Sequence, residues 1–268
     1  MKSASQIRWK EIMSQWSEQF PFLKPYGTMR LLYRTDIFMI GLYLEKLRGP
    51  VYRVEFEVKQ LWEPPVTNWD NCIYTHIINE RIKSKGDYWI EYGTDYDNHD
   101  FYFGRALEST RSQFGEILEG TATSGFLMEQ CKRTYAPRNK RDFVFETLYY
   151  EFQLAMAVYF QQDEIIESLY REIDESCRLW TRRFSKGKHV CGLTQLSLIS
   201  SWRKKIEDRI SDRDRLLSIC EENSKVKKIR RLNIGELIFT PYEGNIDEEK
   251  QQESLFAKIM SSIKNRFT

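Results

Sequence analysis

The chain has 268 residues, and with 41% hydrophobic and 14% aromatic content it can bury a real core and leaves no room for a long disordered linker. Its 41 basic and 39 acidic residues leave a formal charge of +2, which excludes a global field drawing the molecule onto nucleic acid or lipid. Any charged site has to be local.

Residues 1–16 are amphipathic and lack the apolar core of a signal peptide, and the longest apolar run, residues 37–44, is too short to cross a bilayer. Trp9, Ile12, Met13, Trp16 and Phe20 recur at helical spacing, and Pro21 and Pro25 end that pattern. Met29, Leu31 and Tyr33 then alternate with polar neighbours, and residues 37–44 are continuously apolar, like a strand covered on both faces. Tyr52, Val54, Phe56 and Val58 alternate with Arg53, Glu55, Glu57 and Lys59. We expect an antiparallel meander of three strands, turned at Leu47-Arg48-Gly49-Pro50 and stopped by Pro64-Pro65.

Ile73, Ile77, Ile78 and Ile82 read as a helical stripe ending at Gly86, followed by a short strand over residues 88–92. Residues 93–100 read as a polar loop and Phe101-Tyr102-Phe103 as a returning strand. Leu107, Phe114, Ile117 and Leu118 suggest a helix that Gly115 weakens, and residues 120–125 suggest a loop.

From Asp142 the period is helical. Phe145, Leu148, Phe152, Met156 and Tyr159 mark one helix, and Ile166, Leu169, Ile173, Cys177, Trp180 and Phe184 a second. Leu196, Ile199, Ile206 and Ile210 mark a third, and Ser211-Asp212 can cap a fresh start. Residues 234–241 look extended, and Leu255, Phe256, Ile259, Met260 and Ile263 mark a last helix. The expected class is α+β, with an α+β domain over residues 1–137 and a helical bundle over residues 138–268 packed against it.

Cys72, Cys131, Cys177, Cys191 and Cys220 are odd in number without a CxxC pair, which points to reduced thiols and a cytoplasmic protein. His76, His99 and His189 are too scattered for a three-histidine zinc site, and no phosphate-binding glycine loop or nucleophile elbow occurs. Asp95, Asp97 and Asp100 fail the calcium-loop pattern, since Asp100 and Ala106 stand where that loop needs Gly and Glu. Asp95, Tyr96, Asp97, Asp100 and Tyr102 remain as a candidate partner-binding surface, acids steering a partner onto aromatic anchors; the plainer alternative is a solvated turn. Lys225, Lys227, Lys228, Arg230 and Arg231 could neutralise phosphates, extended by Arg182, Arg183, Lys186 and Lys188. Val226, Ile229 and Leu232 instead favour a solvated helix with charged flanks.

One constellation carries chemistry. Glu57-Val58-Lys59 is an E-x-K on a strand, and Asp36 precedes the strand before it, so a hairpin near Gly49 is expected to fold Asp36 back beside Glu57 and Lys59. The segment resembles the restriction-endonuclease-like nuclease family, with Thr35 replacing that motif's proline. The resemblance implies a magnesium-dependent nuclease in which Asp36 and Glu57 hold the metal and Lys59 positions water. Without it, the charges are the solvated face of an amphipathic strand.

The run of residues 22–65, with its opening Phe-Leu-Lys-Pro, its three strands and the closing Glu63-Pro64, resembles in hydrophobic layout the N-terminal portion of bacterial α+β proteins associated with polymorphic-toxin immunity. That resemblance implies a soluble bacterial protein that binds another protein, catalyses nothing and needs no cofactor. Protein binding is the leading expectation and the nuclease the alternative.

Overall fold

Strict alternation in residues 51–60 lets one strand bury apolar side chains on one face while its charged side chains share the other. The computed structural model describes residues 4–48, 51–63, 72–77, 92–93, 99–135, 143–186 and 196–241. Helix α1 (Ala4–Gln19) leads into β1 (Lys24–Pro25), β2 (Arg30–Arg34), β3 (Phe38–Lys46), β4 (Val51–Gln60), β5 (Cys72–Ile77) and β6 (Tyr92–Gly93). Then follow α2 (His99–Leu118), β7 (Thr121–Thr123), α3 (Ser124–Tyr135), α4 (Phe143–Tyr159) and α5 (Asp163–Ser185). The remaining elements are α6 (Ser197–Arg209), α7 (Arg213–Ser224), α8 (Lys227–Arg230) and β8 (Glu236–Ile238). The class is α+β, as expected, with the antiparallel sheet in the front half and helices behind it.

The expected meander is present as β2, β3 and β4, all antiparallel, and the sheet extends to β1 on one side and to β5 and β6 on the other. Its apolar face carries Phe38, Ile40, Leu42, Tyr52, Val54 and Phe56, all buried. Three helices cover it. From α1 the Trp16 indole N–H donates to the Tyr52 hydroxyl at 3.3 Å; from α2 the Phe114 ring stacks on Phe56 at 4.3 Å; from α4 the Phe152 ring stacks on Phe38 at 5.2 Å.

Four local readings need correction. The isoleucine stripe expected to be a helix begins as β5, because the β-branched and aromatic run Cys-Ile-Tyr-Thr-His-Ile finds the open edge of β4. Phe101-Tyr102-Phe103 belongs to α2 and not to a strand. There His99, Phe103, Ala106, Thr110 and Phe114 recur every three or four residues on the inward face, and the helix runs through Gly115. Thr121–Thr123 is a strand and not a loop, since it pairs in parallel with β8, more than a hundred residues away. Ser124–Tyr135 is α3, whose first two residues were expected in the loop and whose remainder the sequence left unassigned.

The helical layer follows its apolar periods. Asp212 caps α7 as expected, its carboxylate accepting the Arg215 N–H at 2.8 Å. One cluster of buried side chains runs from Ile12 on α1 to Leu232 beyond α8, so the core continues across the boundary expected near residue 137. A polar clamp reinforces that crossing. Lys205 of α6 donates to Glu151 of α4 at 2.7 Å and forms an ion pair with Glu63 after β4 at 3.1 Å, Arg209 also pairs with Glu63, and the Trp202 indole donates to Glu151 at 2.7 Å. Asn223 of α7 donates to the carbonyls of Leu61 and Glu63. The last helix expected around residues 255–263 lies outside the described residues.

Candidate functional site

The second face of the sheet is where charge collects. Register places Leu32, Gly41 and Glu57 level on β2, β3 and β4, so the even-numbered residues of β2 and the odd-numbered residues of β3 and β4 share one side. That side carries Arg30, Tyr43, Glu45, Arg53, Glu55, Glu57 and Lys59. Gly41 lacks a side chain between the two outer strands, and a β-carbon there would overlap the Leu31 carbonyl oxygen of β2. Across that gap the Arg30 guanidinium Nε donates to Glu57 Oε2 at 2.8 Å and to Oε1 at 3.2 Å. Lys59 Nζ donates to Oε1 at 3.2 Å, and the Arg30 guanidinium lies 4.3 Å from the Tyr43 ring centre.

All three charged residues are buried, Glu57 to 1% exposure. The expected solvated strand face is therefore an interior ion cluster. Its field reaches its neighbours: burial raises the Tyr26 and Tyr43 hydroxyls above their ordinary range, with Glu57 adding to the rise and Arg30 opposing it. Next along β4, burial pushes the Glu55 carboxyl up to about 7; the Glu45 charge adds to this, Arg53 opposes it, and a hydrogen bond with Glu45 favours the protonated form.

Glu57 and Lys59 meet as the E-x-K reading expected, but Asp36 is not beside them. The register Phe38 opposite Gln60, continued by the Leu61 N–H donating to the Ile37 carbonyl at 3.0 Å, sets Asp36 near the level of Trp62. That is about five residues from Glu57, or roughly 16 Å at about 3.3 Å per residue. Asp36 sits exposed in the turn before β3, where it accepts the Tyr159 hydroxyl at 2.7 Å, and the Arg213 guanidinium lies 5.5 Å from the Tyr159 ring centre. Carboxylates so far apart cannot share one divalent ion, whose oxygen ligands sit at about 2–2.6 Å. Both Glu57 oxygens already face cations, so a metal there would meet two positive charges at contact distance. Among the described residues no group of three or more His, Cys, Asp or Glu could hold a metal ion.

Of the candidate partner-binding residues, Asp95, Tyr96 and Asp97 lie outside the described residues. Asp100 and Tyr102 stand on the first turn of α2, Asp100 exposed and Tyr102 half-buried against the core. Between them Phe101 is 62% exposed, its ring 5.5 Å from that of Tyr102 and 5.5 Å from the Arg105 guanidinium carbon. The sequence already counts Phe101 among the aromatics of this segment, but on a strand; the structure places it on α2. Read at helical period, it falls opposite His99, Phe103 and Ala106.

The histidines form no common site. His99 is buried with Nε2 2.8 Å from Gln15 Oε1, His76 is on β5, and His189 lies outside the described residues. Cys131, Cys177 and Cys220 are free thiols, and burial pushes Cys177 up to about 11 and Cys220 up to about 12. No helix among the described residues is long and apolar enough to cross a membrane. No protein-family model, curated protein or solved structure matches the chain.

Proposed function

We propose that this chain is a non-catalytic protein-binding module that works as an immunity-type inhibitor of a bacterial toxin in the cytoplasm. The observation that carries the reading is Phe101, a large aromatic side chain held 62% exposed between Asp100 and Tyr102 on a helix start. Exposed aromatics on rigid elements supply buried contact area at low entropic cost, and a neighbouring acid steers a basic partner. The internal neutralisation of Glu57 by Arg30 and Lys59 supports the non-catalytic half of the proposal, and the free thiols fit a reducing compartment.

A photoreactive amino acid placed at position 101 in cells tests it. The expected result is a crosslink to one basic protein, absent when the probe replaces Leu179, another exposed apolar residue at 44%, and reduced by Asp100→Asn. Two results overturn the reading. One is a crosslink no different from that at position 179. The other is magnesium- or manganese-dependent cleavage of DNA or RNA by the purified protein that is lost in Asp36→Ala, an exposed position whose replacement leaves the fold intact.

A further inference from the structure

We propose that the outer surface of α8 is a docking site for the sugar-phosphate backbone of a nucleic acid duplex. The chain as a whole carries only +2, yet five of its cations fall within the seven residues from Lys225 to Arg231. All five are exposed. Lys225 lies 4.0 Å from Glu221, whereas Lys227, Lys228, Arg230 and Arg231 make no ion pair among the described residues. These four cations repel one another, and no ion pair among the described residues compensates them. An external polyanion would.

The turn is held rigid from inside. Ile229 and Leu232 are buried, so the remaining side chains of the turn radiate outward. The Ile229 and Arg230 N–H groups both bond the Val226 carbonyl at 2.9 Å, Leu232 N–H bonds Ile229, and Asn233 is tied to β2 through the Arg34 N–H at 2.9 Å. The four cations therefore project from a main chain fixed before any ligand arrives, so binding has to order only their side chains. Two are arginines, whose planar forks bond phosphate oxygens bidentately.

The chemistry of the patch selects among polyanions. An anionic lipid surface is bound by cations together with an apolar face that inserts, but Ile229 and Leu232 are committed to the core, which leaves Val226 as the one exposed apolar side chain of residues 225–231, short of such a face. Single strands are bound on aromatic stacking platforms, and no aromatic side chain interleaves with residues 225–231. The four-residue α8 is too short to serve as a recognition helix in a groove, so contact is with the backbone and independent of base sequence.

Fluorescence anisotropy of a labelled DNA duplex of about 20 base pairs with the full chain, between about 50 and 200 mM salt, measures this directly. Neutralising four phosphates at about 0.9 per contact predicts a log–log salt slope near −3.6, or roughly a 100-fold loss of affinity across that range. The combined variant Lys227→Ala, Lys228→Ala, Arg230→Ala and Arg231→Ala should lose at least tenfold in affinity at the lower salt and flatten the slope, with an unchanged melting curve because all four side chains are exposed. Replacing Arg178, Arg182 and Lys204, cations of the groove of about 940 Å³ between α5 and α6, with alanine should leave binding as it was. The proposal is overturned if the wild type fails to bind the duplex at the lower salt, or if the α8 variant binds like wild type. It is equally overturned if the groove variant is the one that loses binding, or if phosphatidylcholine–phosphatidylserine vesicles bind through these four residues and the duplex does not.

Discussion

Gly41 and Glu55 show how single positions set the polar face of the sheet. A side chain at Gly41 would meet the Leu31 carbonyl of the neighbouring strand, a backbone atom that cannot swing away, and would fill the space through which Arg30 reaches Glu57. Gly41→Ala should therefore destabilise the protein by about 3 kcal/mol or more, read from the urea midpoint at constant slope. Glu55 makes the folded state sensitive to pH. Its carboxyl is raised from 4.5 to about 7, so between those values the native protein keeps a proton that the unfolded chain has released. Stability from this group is thus full below the lower value and declines as pH rises through the window. Glu55→Gln should remove that decline and make the protein more stable than wild type at about pH 8, but not at about pH 4, in urea titrations. A parallel decline in the variant would place the titration elsewhere.

At the scale of elements, the joints between sheet and helices are made by polar side chains reaching main-chain carbonyls. Asn223 near the end of α7 donates to Leu61 at 2.7 Å and Glu63 at 3.1 Å, closing the chain that leaves β4. Asn223→Ala should cost about 1–3 kcal/mol by leaving two carbonyls unpaired, seen as a lowered melting temperature; an unchanged melting curve would mean that water replaces the amide freely. The helices α4, α5, α6 and α7 were legible because each carries an uninterrupted apolar period, and the Asp212 cap was legible because Asp at a helix start has a local reason to be there. The start of α2 was not legible, since three consecutive aromatic residues fit a strand locally and only packing of Phe103 on Trp16, at 5.4 Å, decides for the helix. Nor was β7, whose partner β8 lies beyond six intervening helices. In the candidate site, alternation alone put Glu57 beside Lys59. The Arg30 contact depends on the β2–β3 register and the gap at Gly41, which no local pattern in β4 encodes.

Over the described residues, a single core joins both halves, and two polar clusters lie in it or against it: the buried Arg30–Glu57–Lys59 in the sheet and the partly buried Glu63–Lys205–Glu151 between sheet and helices. The exposed first turn of α2, the contact surface of the proposed function, sits apart from both. Such a separation suits the proposed binding module, whereas a metal-dependent nuclease would need the opposite, acids open to solvent and substrate. The central claim is that Glu57 is a structural anion and not a ligand waiting for a metal. Equilibrium urea unfolding of Glu57→Gln against wild type tests it most directly. Removing the charge leaves Arg30 and Lys59 buried without their common partner, so the account predicts a loss of about 3–5 kcal/mol, independent of added magnesium. Stability within about 0.5 kcal/mol of wild type, or a stabilisation by magnesium that only the wild type shows, would contradict it.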